Sequence, residues 1–209
     1  MQKYKHLIFD FGGVFFDLKT RKKHGYIGDV AAILNIPLET AGELWSTHRD
    51  DLITGRETPA QFLAKVNGIH GPRVDAKEAL ERWRDLQAAE KERIDWKLVD
   101  YVDGLRKKYR VHLFTNTIDL YTGGGKNPRN HVADRFEHIF VSCEEGVTKS
   151  DKEAFLHVLK KPGAKPSECI FVDDHHPFVE AAKAAGITAI LYTNLAALKK
   201  EFKRLGIAA

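Results

Sequence analysis

The sequence has few of the residues and segments that mark secreted, membrane or nucleic-acid-binding proteins. It contains two cysteines, Cys143 and Cys169, which we expect to be buried free thiols in a reducing compartment. No apolar run is long enough to span a bilayer, and the first residues lack the apolar core of a signal peptide. The net charge of +4 is too small and too dispersed to indicate nucleic-acid binding, although it slightly favours anionic ligands. We therefore expect a cytoplasmic protein without membrane or nucleic-acid partners; the sequence indicates no particular oligomeric state.

What the chain does have is the length and composition of a folded α/β protein. Its 209 residues, 43% of them hydrophobic and 30% charged, can bury a core for one domain that carries an inserted lobe. Residues 1–16 have the pattern of a strand, residues from about 18 to 95 show helical spacing, and the chain from about residue 96 alternates between helices and strands. This predicts an α/β fold with a Rossmann-like parallel sheet core, residues 1–17 and 96–209, and an inserted four-helix cap, residues 18–95.

The individual elements can be placed from apolar runs and capping signals. Thr58-Pro59 and Asp75 are predicted to begin two of the cap helices, and Ser150 to Glu153 has the pattern of a capping box. Beyond the cap, the predicted strands are Val111–Asn116, His138–Ser142, Cys169–Asp173 and Thr188–Tyr192, and the predicted helices are Trp96–Tyr109, Asp151–Leu159, Pro177–Ala185 and Leu195–Leu205.

The most informative segment is the first strand, in which Leu7, Ile8 and Phe9 are followed by Asp10 and a glycine pair. An unbroken apolar run is typical of a strand buried on both faces of a parallel sheet. Because an unpaired charge is costly to bury, we place Asp10 at the carboxyl end of the strand, where open α/β sheets bind their ligands. Gly12 and the glycine after it allow the backbone to turn and to approach a ligand closely. This arrangement indicates a nucleophile or a metal ligand.

Chemically useful side chains recur at the same point of other predicted strands. Thr115 and Asn116 end one strand, Lys149 follows the next by a short loop, and Asp173-Asp174 ends a third. Since the carboxyl ends of parallel strands meet at one edge of the sheet, these groups should converge on Asp10.

These motifs, in this order, resemble those of the haloacid dehalogenase-like hydrolases, and the likeness covers essentially the whole chain. The resemblance implies that Asp10 is the nucleophile, that Thr115 and Lys149 bind phosphate, and that Asp173 and Asp174 are the acidic metal pair. The helical insert stands where that family carries its cap. Phe-Asp-Phe-Gly-Gly-Val and Phe-Val-Asp-Asp are most similar to the branch of sugar-phosphate phosphatases and the amino-terminal phosphatase domain of epoxide hydrolases.

The chemistry of the residues agrees with that resemblance. Carboxylates that meet at one edge repel one another unless a cation lies among them, and Mg²⁺ suits an all-oxygen site and phosphate chemistry. We expect Asp10, the Gly12 carbonyl and Asp174 as direct Mg²⁺ ligands, with Asp173 binding directly or through water. Lys149, the Thr115 hydroxyl and backbone N–H groups are expected to hold the phosphate of a small phosphorylated substrate. The predicted phosphate-binding set is Phe11, Gly12, Thr115, Asn116 and Lys149, and the predicted catalytic residues are Asp10 and Lys149.

Gly12 is a departure from the family pattern, in which phosphatases usually carry a second aspartate at this position as general acid and base. Glycine has no proton to donate, and such catalysis contributes about 10²–10⁴ in rate. We therefore expect a preference for substrates whose leaving group needs little protonation, such as anomeric, acyl or aryl phosphates. Asp17, His48, His175 and His176 are candidates for a substitute acid.

Other interpretations remain open at this point. A catalytically silent relative that binds phosphorylated ligands or partners is the main alternative, and a 2-haloacid dehalogenase is a third, although it needs no metal pair. His175-His176 could suggest zinc, but the spacing is unusual for zinc and a loop or helix-cap role is expected instead. Specificity is expected to come from cap side chains and the 120–130 loop.

Overall fold

The computed structural model describes residues 2–17, 25–70, 74–87, 93–120 and 131–208, without the side chains of residues 70, 86 and 87. The specificity loop, apart from its first residue, lies outside the described residues. So does the glycine-rich segment 123–126 within it.

The described residues form a five-stranded sheet in which every neighbouring pair is parallel, with the strand order β3-β2-β1-β4-β5. The strands are β1 (His6–Phe9), β2 (Arg110–Thr115), β3 (His138–Val141), β4 (Cys169–Asp173) and β5 (Thr188–Leu191). The first strand is central, and Phe9 pairs with Leu113 on one side and Val172 on the other. This register brings the carboxyl ends of β1, β2 and β4 to the same edge.

Nine α-helices are present in the described part of the chain. The four that follow β1 are α1 (Gly25–Leu34), α2 (Leu38–Ile53), α3 (Pro59–His70) and α4 (Ala76–Gln87). The five that alternate with the later strands are α5 (Trp96–Leu105), α6 (Ser142–Glu145), α7 (Lys152–Val158), α8 (His176–Ala184) and α9 (Leu195–Arg204). None of the helices within these described ranges has both the length and the apolar content needed to cross a membrane.

Helices cover both faces of the sheet, which explains the unbroken apolar run of β1. Leu7 and Phe9 face a core that includes Val102 of α5 and Phe202 of α9. Ile8 points to the opposite face. There it shares a core with side chains of α7 and α8, among them Phe155 and Ala182. Both faces of the sheet are therefore buried, as the sequence predicts for a parallel α/β sheet.

The helices α1 to α4 enclose a core of their own, which includes Phe62, Leu63 and Trp83. Ile118 and Leu120, which follow β2, belong to the same cluster. The predicted helix caps are confirmed, because the Gln61 backbone N–H donates to the Thr58 hydroxyl and the Glu78 N–H donates to the Asp75 carboxylate. The division into a core and a cap at residues 17/18 and 95/96 stays a prediction.

The two segments that join these helices to the sheet lie side by side. The Asp17 N–H donates to the Arg93 carbonyl at a distance of 2.9 Å, and the Asp95 N–H donates to the Phe15 carbonyl at 2.8 Å. The helical insert therefore leaves and rejoins the core at one place.

Several predicted bounds differ from the structure for local reasons. The strand predicted to reach Ser142 ends at Val141, because α6 begins there, and the helix predicted to reach Tyr109 ends at Leu105. The capping box at Ser150 is wrong: α7 begins after Asp151 with no side-chain cap, and the Ser150 N–H donates to the Thr148 hydroxyl instead.

Both cysteines are free thiols, as predicted. Cys169 is buried, and this burial raises the pKa of its thiol to about 12. Cys143 is only half-buried, so the prediction of full burial was wrong for that residue.

Candidate active site

Three aspartates meet at the carboxyl edge of the sheet. Asp10 follows β1, Asp173 is the last residue of β4, and Asp174 comes directly after it. Carboxylate oxygens of all three lie within 4.8 Å of one another. The Asp10 backbone N–H donates to the Val172 carbonyl over 2.9 Å, which extends the pairing of the two strands to the point where the carboxylates begin. The sequence prediction that these strand ends converge is therefore confirmed.

Lys149 is buried beside these aspartates, with 1% of its surface exposed. Its ammonium lies 2.6 Å from Asp10 Oδ1 and 2.6 Å from Asp173 Oδ2. The ring of Phe178 in α8 lies 4.9 Å from the same nitrogen. One cation thus bridges two buried carboxylates, an arrangement that needs close pairing because an isolated buried charge is strongly unfavourable.

The two members of the acidic pair differ in their surroundings. Asp173 is fully buried, and its second oxygen, Oδ1, accepts a hydrogen bond of 2.8 Å from the His175 backbone N–H. Both of its oxygens are therefore engaged by protein groups. Asp174 is exposed and lies against Gly13, where a side-chain carbon added to the glycine would lie 2.0 Å from Asp174 Oδ2. Glycine is needed at this position both for that approach and for its φ of 81°.

The charges of the site are unbalanced, and the pKa values reflect this. Burial raises the pKa of Asp10 to about 7, against the lowering effect of Lys149, while the charge of Asp173 raises it further. Burial alone would lower the pKa of Lys149, but Asp10 and Asp173 outweigh it and hold that pKa above its ordinary value. Partial desolvation and then the charge of Asp173 raise the pKa of Asp174.

This donor set fits a magnesium ion. Three carboxylates share one ammonium, so a divalent cation would remove the excess negative charge, and oxygen ligands are those that Mg²⁺ prefers. Within the described ranges, the acidic and histidine side chains close enough for metal binding are the three aspartates. His175 and His176 are not among them, which agrees with the loop and helix-cap interpretation rather than with zinc.

The segment after Asp10 is a tight turn. The Phe11 carbonyl accepts hydrogen bonds from the N–H groups of Phe15 and Phe16, and the Gly13 N–H donates to the Phe16 carbonyl. A backbone hydrogen bond from Phe11 to Asp10 lowers the pKa of that carboxyl and so favours its charged form. Phe11 is buried and Gly12 is half-buried. The structure therefore places both beside Asp10, where the sequence predicted them.

Thr115 and Asn116 lie at the end of the neighbouring strand. Thr115 is buried, and the side-chain oxygen of Asn116 accepts a hydrogen bond of 3.2 Å from the Lys149 backbone N–H. The next residue, Thr117, is held through both of its backbone groups by the hydroxyl of Ser142. Sequence reasoning did not single out Ser142, because a serine at a strand end carries no distinctive signal.

The candidates for a substitute acid have different environments. His48 Nδ1 lies 2.6 Å from Glu57 Oε2, a buried carboxylate between α2 and α3 that sequence reasoning also missed. The His175 ring packs against the ring of Phe178, and His176 Nε2 lies 3.7 Å from Glu180. The backbone of Asp17 pairs with that of Arg93. These contacts direct the three histidines to groups other than Asp10.

A buried lysine shared by carboxylates at the carboxyl edge of a parallel sheet is an arrangement suited to an enzyme with an aspartate nucleophile. Comparison with known proteins identifies the class. Residues 4–186 match the haloacid dehalogenase-like hydrolases, and the chain belongs to that family. The resemblance predicted from the four motifs, and with it the prediction of a hydrolase, is confirmed.

Two curated relatives are phosphatases. The chain is 25% identical over 207 residues to a D-ribitol-5-phosphate phosphatase of Bacteroides thetaiotaomicron, a match that covers 94% of this chain and 96% of that protein. It is 40% identical over 72 residues to a sesquiterpene phosphatase of Aspergillus oryzae, covering 34% of this chain and 37% of that one.

Solved structures of the family share the fold. A haloacid dehalogenase family enzyme from Bacteroides thetaiotaomicron, crystallised with magnesium and inorganic phosphate, superposes with a TM-score of 0.71 at 24% identity, covering 93% of this chain and 98% of that one. A 2-haloacid dehalogenase from Pseudomonas syringae superposes with a TM-score of 0.67 at 21% identity, covering 90% and 86%. These likenesses confirm the predicted α/β Rossmann-like fold.

Proposed function

We propose that this protein is a Mg²⁺-dependent phosphatase that hydrolyses a small phosphorylated metabolite through an aspartyl-phosphate on Asp10. The observation that carries the proposal is the buried Lys149, which contacts both Asp10 and Asp173 beside the exposed carboxylate of Asp174. The phosphatase relative that matches over nearly the full length supports the same reaction.

In this proposal Asp10 is the nucleophile, and the charge of Lys149 favours its ionised form against the effect of burial. An oxygen of Asp10 forms a bond to phosphorus while the ester bond to the leaving group breaks, and the leaving oxygen takes a proton from water. Water then attacks the aspartyl-phosphate and restores Asp10 with release of inorganic phosphate. The Thr115 hydroxyl, the ammonium of Lys149 and the N–H groups of Phe11, Gly12 and Asn116 would bind the phosphoryl oxygens.

Asp10, the Gly12 carbonyl and Asp174 would hold the magnesium ion directly. Asp173 would act through water, since its two oxygens already accept hydrogen bonds from Lys149 and His175. When bound, Mg²⁺ neutralises negative charge on the phosphate and on the carboxylates around it.

Gly12 shapes the proposed substrate range. With no carboxylic acid at this position, protonation of the leaving group is less assisted, at a cost of about 10²–10⁴ in rate for a basic leaving group. We propose that aryl, acyl and anomeric phosphates react faster than alkyl phosphates. D-ribitol 5-phosphate, which appears in the name of the relative that matches over nearly the full length, is an alkyl ester. It therefore tests the class of substrate that we expect to react slowly.

A catalytically silent protein that binds phosphorylated ligands is the second candidate, and Gly12 is the residue that favours it. The intact Lys149 bridge between Asp10 and Asp173 argues for an enzyme instead. The acidic pair also argues against a dehalogenase, which needs no metal.

The test is hydrolysis of p-nitrophenyl phosphate with Mg²⁺, with EDTA, and by Asp10→Asn. We expect turnover that requires Mg²⁺ and is lost in the variant. A series of phosphate esters then measures how the rate depends on the pKa of the leaving group, and a flat series would contradict the role given to Gly12. Purified protein that binds Mg²⁺ but hydrolyses none of the esters would support the silent binding protein.

A further inference from the structure

Ser142 is a fully buried polar residue that begins α6, directly after β3. Its hydroxyl oxygen accepts a hydrogen bond of 2.9 Å from the Thr117 N–H and donates one of 3.2 Å to the Thr117 carbonyl. A single side chain thus engages both backbone groups of one residue in the neighbouring loop. Buried backbone groups need such partners, and here they come from a side chain rather than from the sheet.

The loop in question follows β2 at the proposed phosphate site. Strand pairing ends with Thr115 opposite Val141, so the sheet does not hold the residues that follow. Two side chains hold the loop beyond that point: Ser142 binds Thr117, and Asn116 accepts a hydrogen bond from the Lys149 backbone. Thr115, whose hydroxyl is the proposed phosphate ligand, lies just before these two fixed residues.

The residue after Ser142 is in contact with the helical insert. Gly55, in the turn after α2, has a φ of 72°, and a side-chain carbon there would lie 2.1 Å from the Cys143 carbonyl oxygen. The turn between α2 and α3 therefore rests directly on the start of α6. This contact and the hydrogen bonds to Thr117 occur at adjacent residues.

We propose that Ser142 is a positioning residue for phosphate binding: its hydroxyl fixes the loop after β2 at Thr117 and thereby the place of Thr115, and the turn at Gly55, in contact with Cys143, supports α6. The inference rests on the proposed phosphatase function and adds to it a residue that does not touch the substrate. It predicts that loss of the hydroxyl weakens phosphate binding while the magnesium site, which lies on other elements, is unaffected.

The test compares Ser142→Ala and Ser142→Cys with Ser167→Ala in the full chain. Cysteine fills the space of the hydroxyl, although its sulfur is larger, and it is a weak hydrogen-bond partner, so comparison with alanine separates lost hydrogen bonding from a cavity. Ser167 is an exposed serine just before β4, at the opposite edge of the sheet, and serves as the matched control. The measurements are KM and kcat for p-nitrophenyl phosphate, inhibition by inorganic phosphate, Mg²⁺ affinity, and thermal unfolding.

We expect both Ser142 variants to raise KM and the phosphate inhibition constant about tenfold, the effect of one or two net hydrogen bonds, with Mg²⁺ affinity unchanged. Unchanged phosphate inhibition in Ser142→Cys would overturn the proposal, even where Ser142→Ala is weakened by a cavity. A parallel loss of phosphate and Mg²⁺ affinity would also overturn it, because that result means general disruption of the edge. If the wild-type protein hydrolyses nothing, the phosphatase proposal fails first, and the role of Ser142 fails with it.

Discussion

At the scale of single residues, the site depends on close contacts at Lys149 and at Gly13. Lys149 lies 2.6 Å from each of two buried carboxylates, and the backbone at Gly13 touches the third. Charge and shape are therefore fixed together, since a change that moves one carboxylate alters the field at the other two. Small substitutions at this edge should have large effects on metal binding.

Gly13→Ala tests this close packing. The new methyl group would lie 2.0 Å from Asp174 Oδ2 and must displace that carboxylate. We expect Mg²⁺ affinity to fall at least about tenfold, in the range seen when groups that orient metal ligands are removed. Isothermal titration with Mg²⁺ measures the effect, and turnover should fall with it.

Gly163→Ala is the matched control for that experiment. Gly163 also has a positive φ, 65°, but a side-chain carbon there meets nothing within 4 Å. Backbone strain alone costs about 1–2 kcal/mol at such a position. Equal loss of Mg²⁺ affinity in both variants would show that strain, rather than the contact with Asp174, is responsible.

At the scale of elements, the helices and strands that could be predicted correctly are those with a clear pattern in the local sequence. An apolar run ending in a carboxylate indicated where β1 and β4 stop, so Asp10 and Asp173 could be placed from the sequence. The helix α6 could not, because four residues carry no helical period, and Ser142 was taken for the end of a strand. Glu57 was missed because its partner His48 lies in another element, and such pairs are set by tertiary packing.

The turn that follows α2 packs against α6, where Gly55 meets the Cys143 carbonyl. A single added methyl group should disturb this contact. In Gly55→Ala the new carbon would lie 2.1 Å from the Cys143 carbonyl, on a backbone with a φ of 72°. We expect the turn to be displaced from α6 and kcat/KM to fall about tenfold or more, as misplacement of positioning elements commonly costs. Gly163→Ala again controls for backbone strain. Normal kinetics in Gly55→Ala would mean that the contact between Gly55 and Cys143 is not needed for turnover.

Three histidine rings stack across β1, β2 and β3, towards the amino-terminal side of the sheet. The ring centroids of His6 and His112 lie 5.3 Å apart, as do those of His112 and His138. Burial lowers the pKa of the central His112 to about 3, and the charges of nearby groups contribute less. The folded state therefore resists a proton that the unfolded chain accepts near its ordinary pKa of about 6.5.

Because of this difference in the pKa of His112, acid should destabilise the folded protein. Stability is at its full value above the unfolded-state pKa and is lost as the pH falls from about 6.5 towards 3, with a loss of roughly 2 kcal/mol by pH 5. Urea unfolding at pH 7 and pH 5 should show that loss, and His112→Gln should reduce it. His131→Gln, at an exposed histidine, should leave it unchanged. The same pH dependence in all three proteins would contradict the assignment to His112.

At the scale of the whole molecule, the sheet edge joins segments that are far apart in the chain. Asp10 follows the first strand, and Asp174 follows the fourth, which comes after the helical insert α1 to α4 in the chain. A cation bound by both would connect these distant segments only in the folded state. Binding that is specific to the folded state stabilises it, by about 2.7 kcal/mol when the free ligand is at 100 times its dissociation constant.

Magnesium should therefore raise the thermal unfolding midpoint of the entire protein. For a chain of this size, the stabilisation corresponds to roughly 5–10 °C at saturating Mg²⁺, and EDTA should reverse it. Asp174→Asn should abolish the shift, because it removes an exposed carboxylate of the site. Asp134→Asn, at an exposed aspartate outside the cluster, should keep the shift.

A shift of equal size in both variants would mean that Mg²⁺ stabilises the protein somewhere other than the aspartate cluster. The shift depends on binding alone, so it tests the metal site whether or not Gly12 permits turnover.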